Sequence, residues 1–344
     1  MGSAAAYHLA RRGLSVLGIE AFPRGHALGS SAGLTRVIRL AYFEHADYVP
    51  LIQRAWDLWE ALQAEAGETL LVPTGGLYVG QRDGEVFAKS LASARQHGLE
   101  HEALDALELE RRFPMFRVDP SMAALWERKA GMLFPERCIE AHLRGAEARG
   151  ATLRFTERVD DPAALPARTV ILTAGAWMGR LVRLPLWVER VPLFWFEPRS
   201  PEARWEGLPV WLVDTDAGMF YGFPYLADQG LKVARHHSGA RCDPDAIDRE
   251  IAEGEDEPAR AFLRRHLPDA AHSDLRAAKV CMYTNTPDGH FVVDRAAPDV
   301  LYASACSGHG FKFASVVGEI LADLAIDGAT RHPIGLFSAS RLST

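Results

Sequence analysis

At 344 residues, with 48% apolar and 24% charged residues, the chain has material for about two soluble domains and a composition that excludes disorder. A formal net charge of -7, with no Lys/Arg block to break it, excludes an electrostatic nucleic-acid footprint and leaves a small molecule as the expected partner. Cys138, Cys242, Cys281 and Cys306 show no CxxC spacing, so neither a metal site nor a disulfide framework is indicated and a reducing, cytoplasmic setting is expected.

No window reaches the ~18 continuous apolar residues of a membrane span, and the N-terminus lacks the charged-then-apolar order of a secretory signal. Gly2 to Arg12, GSAAAYHLARR, has the alanine-rich pattern of a helix closed by Gly13, and Leu14 to Glu20 reads as a short strand ending in an acid. Helix, glycine, strand and acid form the second half of a dinucleotide-binding βαβ unit. Of the G-x-G-x-x-G fingerprint only the last glycine, Gly2, is present, with Glu20 standing 18 positions further on. The unit's first strand is missing from the sequence, which points to a start placed inside the fingerprint.

Phe22 to Arg39 contains a glycine- and serine-rich loop carrying Arg36 and Arg39, which in an arbitrary loop would be solvated surface charges. Asp47 to Gly67 has helical periodicity through Val49, Leu51, Ile52, Trp56, Trp59 and Leu62. Val72 to Gly80 reads as a strand entry with a glycine turn, near which a second domain begins. Leu99 to Phe113 reads as polar helix and loop, and Gly131 to Gly150 as a turn followed by a helix. Thr169 to Trp177, TVILTAGAW, is an apolar strand running into a glycine turn suited to close ligand approach. From Leu186 to Gly239 many short β-rich pieces predict an antiparallel sheet, and Asp243 to His266 reads as polar and helical.

Lys279 to Lys312 places a thiol at Cys281, a glycine-bracketed imidazole at His309 and a cation at Lys312 beside buried-strand patterns. Within it the apolar run Val300 to Ala305 feeds Ser307-Gly308-His309-Gly310, and Phe313 to Ala325 then has helical spacing. Strand, glycine turn and helix bring backbone N–H groups and a helix N-terminus up to a ligand.

Gly2 to Glu20, the Thr35-Arg36 loop, the TAGAW turn, CMYTNTPDGHFVVD and SGHGFKF together resemble the monomeric sarcosine oxidase and N-methyltryptophan oxidase family of flavoproteins, within the D-amino-acid-oxidase superfamily. The resemblance covers nearly the whole chain. It implies an α/β fold in which a Rossmann-like FAD-binding domain, residues 1–73, 136–183 and 287–341, is interleaved with a β-rich antiparallel substrate domain, residues 74–135 and 184–286.

It also implies FAD held covalently through Cys281, with cofactor contacts from Gly2, Glu20, Thr35, Arg36, Ala174, Gly175, Trp177, Gly308, Gly310 and Lys312. Arg39 and Lys312 match the pair that holds the substrate carboxylate, and Tyr221 and Tyr283 line the substrate cavity. Lys232 matches a lysine over the flavin used in oxygen activation, Arg36 a basic residue assisting the flavin, and His236, His309 and Tyr221 polar groups that shape the cavity. The plain alternatives are an inert buried Cys281, an outward-facing Lys232 on an alternating strand and a solvent-bonded Lys312 at a helix end; Cys306 is a second candidate for attachment. Ala32 stands where sarcosine oxidases of the family carry a histidine.

The implied activity is oxidation of a secondary (N-methyl) amino acid such as sarcosine to an imine, hydrolysed to amino acid and aldehyde, with O2 reduced to H2O2 by a cytoplasmic monomer. N-methyltryptophan, pipecolate or another cyclic imino acid is the alternative substrate, and a dehydrogenase serving another carrier is an alternative use of the flavin. The absent first strand supports a different class, a flavin-free fragment acting as a binding protein.

Overall fold

The computed structural model describes residues 1–199, 203–237 and 239–342, so residues 200–202 and 238 of the expected β-rich stretch lie outside the described residues. The Gly2–Arg11 segment is helical on the strength of its alanines. Ala4, Ala5, Ala6 and Ala10 leave so slim a face that the Ala314–Ile326 helix lies directly against it. At the crossing Gly318 has no room for a side chain, since a Cβ there would stand 2.5 Å from that of Ala4. The Tyr48–Ala66 helix buries its expected stripe, including Val49, Leu51, Ile52, Trp56, Trp59 and Leu62, and stops at Gly67, whose φ of 67° is left-handed.

Around these helices lie two short sheets. Leu17–Glu20 pairs in parallel with Thr152–Phe155. Val170–Leu172 pairs in parallel with Val300–Ser304, which is antiparallel to Val292–Ala297. Among the described residues Leu17–Glu20 and Val170–Leu172 each pair along one edge only. Gly2 begins the first helix beside the end of Val170–Leu172, where an added Cβ would stand 2.7 Å from Thr173 Oγ1.

The largest sheet among the described residues has nine strands. Its long strands Trp187–Glu197 and Asp274–Asn285 pair over nearly their whole length, with a bulge between Trp195 and Phe196. The sheet runs on through Leu231–Arg235, Gly218–Gly222, Val210–Thr215, Gly76–Gln81 and Met122–Glu127 to His101–Asp105. The antiparallel expectation holds except at one junction, where Val210–Thr215 runs parallel to Gly76–Gln81. That junction joins strands far apart in sequence, so no hairpin signal marks it. The Glu257–His266 helix covers this sheet by stacking Phe262 on Trp211 and Phe220, at ring distances of 5.2 and 4.6 Å. A fourth sheet joins Arg36–Ile38 and Leu71–Pro73 to opposite edges of Gly131–Leu133.

Two expected helical stretches differ. His101–Asp105, read as helix and loop, is an edge strand on Met122–Glu127, because pairing on one side decides an otherwise mostly exposed segment. In the stretch from Asp243 to His266 the helix occupies only Glu257–His266, where Pro258 sits in the first turn. No described helix is long and apolar enough to cross a membrane.

Gly318→Ala tests the helix crossing. The overlap with Ala4 should outweigh the better helix propensity of alanine and destabilise the chain by about 1–2 kcal/mol in urea denaturation.

Candidate active site

The strands and turns converge on a cavity of about 90 Å³. Of the residues singled out from the sequence, it is lined by Arg36, Arg39, Tyr221, His236, Cys281, Tyr283, Gly308, His309, Gly310 and Lys312. Side chains two apart on a strand share a face. Cys281 and Tyr283 therefore both point inward from Asp274–Asn285, and Tyr221 meets Tyr283 from Gly218–Gly222 at an O–O distance of 3.5 Å.

The thiol has a cation as neighbour. Arg36 Nη2 stands 3.5 Å from Cys281 Sγ and is itself fixed by the carbonyls of Ser30, at 3.1 Å, and Ala32, while Nη1 donates to Thr35 O at 2.9 Å. Neither arginine of this loop is a solvated surface charge: Arg39 is 2% exposed, and Arg36 is spent on carbonyls and sulfur.

Lys232 lies beneath the cavity wall, 2% exposed. Alternation does not turn it outward, because Leu231, Lys232, Val233 and Ala234 are all buried on a strand covered on both faces. Its Nζ donates to Gly33 O at 2.7 Å, Thr35 O at 3.0 Å and Thr35 Oγ1 at 3.4 Å, between the rings of Trp195 and Phe223. Burial, and after it the nearby Arg36, pushes the Lys232 pKa well down. The carbonyls of Gly33 and Thr35 only accept, so they take two hydrogens of Nζ, and the Thr35 hydroxyl stands at the third position.

A second group surrounds Arg39. Its Nη2 reaches both oxygens of Glu44 at 2.6 Å, Nη1 donates to Ala41 O at 3.0 Å, and the guanidinium lies 4.2 Å from the centre of the Tyr42 ring. Lys312 is also buried rather than solvent-bonded, donating to His309 O at 2.7 Å and lying 3.5 Å from Tyr42 Oη. Burial first, and Arg39 second, pushes its pKa down to about 7. His309 Nε2 lies 3.1 Å from Gly289 O, and since a carbonyl only accepts, Nε2 carries the proton and Nδ1 accepts from Tyr42 Oη at 2.6 Å. Burial holds His309 neutral, with its pKa down to about 3.

The glycine bracket has a steric cause. Ser307 and Gly308 are both left-handed, at φ 41° and 75°, and a Cβ on Gly308 would lie 2.6 Å from His236 Cε1 and 2.8 Å from Tyr283. A Cβ on Gly310 would collide with the carbonyl oxygen of Ala305. His236 Nδ1 sits 3.4 Å from Tyr283 Oη, so the turn packs against the pair it helps to place.

Gly2, Glu20, Ala174, Gly175 and Trp177 do not line the cavity; they gather at the ends of the short parallel strands. Glu20 accepts from Phe22 N at 3.0 Å, and Trp177 Nε1 donates to Asp245 at 2.5 Å. Gly175 is left-handed, at φ 54°, with open space where a Cβ would stand. Sequence reading missed Tyr42, Glu44 and Glu127. Glu44 lies five residues past Arg39 on irregular backbone, where no periodicity relates them. Glu127, at the end of a strand far along the chain, takes the N–H groups of Leu40 and Ala41 at 3.0 and 3.1 Å and the Tyr78 hydroxyl at 2.7 Å.

Strand-end glycines beside a helix N-terminus, joined to a cavity holding a thiol and buried cations, define a nucleotide-cofactor oxidoreductase site. The chain belongs to the FAD dependent oxidoreductase family, whose model matches residues 1–324. It is 42% identical to the monomeric sarcosine oxidase of Streptomyces avermitilis, over 100% of this chain and 95% of that protein. To the N-methyl-L-tryptophan oxidase of Salmonella heidelberg it is 34% identical, over 100% of this chain and 96% of that one. In fold it is similar to an L-proline dehydrogenase from P.horikoshii, with a TM-score of 0.84, 21% identity and coverage of 98% and 94%. The residues present fit FAD: Gly175 leaves a cradle that a side chain would fill, and Ser30 Oγ, which belongs to a cavity-lining residue, is buried without a partner among the described residues.

Gly308→Ala places a methyl group against His236 and Tyr283 at a left-handed position. The variant should lose about 1–3 kcal/mol of stability in urea denaturation, with tyrosine absorbance reporting a displaced Tyr283.

Proposed function

We propose that the chain oxidises a secondary amino acid bearing an N-methyl group, sarcosine being the simplest, with FAD attached through Cys281 and O2 as electron acceptor. The observation that carries this reading is one cavity holding the buried cations Arg39 and Lys312 together with the Cys281 thiol beside Arg36. A cation pair suits an amino-acid carboxylate in a dry pocket, and the relatives named as sarcosine and N-methyl-L-tryptophan oxidases support that assignment.

When bound, FAD would supply the hydride acceptor for the carbon next to the substrate nitrogen and the two-electron donor that turns O2 into H2O2. The chain's own residues set the geometry. Arg39 offers a planar fork to the carboxylate, and Lys312 a point charge directed by the His309 carbonyl. The hydrogen-bonded run Tyr42, His309 and Gly289 O holds the imidazole still. Tyr221, Tyr283 and His236 present polar atoms to the amine, while Phe43, Leu212 and Phe223 exclude water. The product imine leaves to be hydrolysed to amino acid and aldehyde. Arg36 sets a cation beside the Cys281 sulfur through which the flavin would be attached, and Lys232, as an ammonium, stabilises negative charge developing on oxygen. Gly2, Glu20, Ala174, Gly175 and Trp177 hold the nucleotide half, with Thr35, Gly308 and Gly310 closing around the ring.

The reading includes a monomer in a reducing cytoplasm, the latter supported by four free thiols.

Absorbance before and after acid precipitation tests the attachment. Yellow colour should stay with the pellet and be lost from it in Cys281→Ser; a protein colourless after FAD is supplied would instead favour the flavin-free binding role. A second test uses pH. Lys312 is charged below about 7 and neutral above it, so the affinity for a carboxylate should fall as pH rises from 6 to 9. Titrating acetate against the flavin spectrum should show a loss approaching tenfold per unit at the upper end, and Lys312→Met should flatten that dependence.

A further inference from the structure

Lys232 and Arg36 are cations without a contacting carboxylate among the described residues, and both end on the carbonyl groups of one short loop. The other side of that loop is held by an acid. Glu136 Oε1 accepts from Gly33 N at 2.9 Å and from Leu34 N at 3.1 Å.

Peptide units link the two sides. The unit between Ala32 and Gly33 gives its N–H to Glu136 and its carbonyl to Arg36; the unit between Gly33 and Leu34 gives its N–H to Glu136 and its carbonyl to Lys232. An N–H bonded to an anion polarises its own carbonyl, which becomes a better acceptor for a cation. Attraction therefore passes from Glu136 to both cations through one amide each.

The loop would not hold this shape unaided. Gly33 O also accepts from Thr35 N at 2.7 Å, closing a γ-turn around Leu34, whose φ is 67°. A positive central φ in such a turn is strained, by about 1–3 kcal/mol for a residue with a side chain. Glu136 stands in the first turn of the Pro135–Glu147 helix, where the helix dipole favours a carboxylate, and it is exposed on its outer side. Its replacement therefore opens no core cavity.

We infer that Glu136 is a positioning residue, serving through two peptide units as the counter-charge that sets Lys232 and Arg36 against the flavin. The inference rests on the flavin-oxidase reading above. Its consequence is selective: oxygen reduction depends on Lys232, whereas carboxylate binding depends on Arg39 and Lys312, whose partners are elsewhere.

The experiment uses Glu136→Ala, which removes both acceptor and charge, and Glu136→Gln, which keeps an oxygen for the two N–H groups and removes the charge. Amide hydrogen exchange at Gly33 and Leu34 reads the grip on the loop in the protein without substrate. Stopped-flow reduction by sarcosine without oxygen, then reoxidation by O2, separates the two half-reactions of the flavin-loaded protein. Glu136→Ala should speed exchange at least about tenfold and slow reoxidation about tenfold, with reduction changed less than about twofold. Glu136→Gln should keep slow exchange and slow reoxidation about threefold. Unchanged exchange in Glu136→Ala overturns the inference, as does faster exchange with unchanged reoxidation. Equal loss in both half-reactions overturns it too, by reducing Glu136 to a structural role. A parent protein that is not reduced by sarcosine fails the oxidase reading before any variant is compared, and the catalytic consequence falls with it, while exchange still reports whether the loop link exists.

Discussion

Burying positive charge is the constraint on which the site depends. Arg36, Arg39, Lys232 and Lys312 converge on or just beneath one cavity, and among the described residues only Arg39 of the four touches a carboxylate, that of Glu44. An unpaired buried charge costs several kcal/mol, so the fold has to supply dipoles instead. It does so with backbone: the carbonyls of Ser30, Ala32, Gly33, Thr35, Ala41 and His309 all accept from these four side chains. The backbone on either side of the short Arg36–Ile38 strand, from Ser30 to Ala41, is therefore irregular for a reason. A regular strand would spend those carbonyls on its neighbours.

That segment needs holding from outside, and the topology provides it. Arg36–Ile38 is pinned as a strand to Gly131–Leu133, with Glu127 just before that partner strand and Glu136 just after it. Each acid takes two consecutive N–H groups of the segment, Glu136 ahead of the strand and Glu127 behind it. From the far side Asp274–Asn285 delivers Cys281 and Tyr283, and the left-handed turn at Ser307 and Gly308 closes against them. The helices then lock this turn to the remainder, since Trp59 Nε1 donates to Lys312 O at 2.9 Å.

The function proposed above assigns binding and redox chemistry to different parts of this arrangement. Lys312, Tyr42 and His309 form one hydrogen-bonded group with the Arg39 guanidinium lying over the Tyr42 ring, suited to a carboxylate. Arg36, Cys281 and Lys232 form another, suited to an electron-poor ring and to oxygen. Separate supports allow each to be tuned without disturbing the other. A third set, Gly2, Glu20, Ala174, Gly175 and Trp177, lies at strand ends away from the cavity.

Elements with strong local signals were legible in the sequence. The Tyr48–Ala66 helix follows from an apolar stripe closed by Gly67, and the Val300–Ser304 strand, glycine turn and following helix follow from composition alone. The side chains that gather at or just beneath the cavity were legible as well, because Cys281, His309 and Lys312 stand in a pattern and Lys232 and Arg39 in a resemblance to a family. Tertiary structure decided what touches them. Edge pairing made His101–Asp105 a strand, and burial on both faces turned Lys232 inward against its alternation. Glu44, Glu127 and Glu136 are ordinary surface acids in the sequence and become partners only when distant segments meet. A local pattern records backbone preference and apolar faces; the compensation of a buried charge is non-local, so only the folded chain shows it.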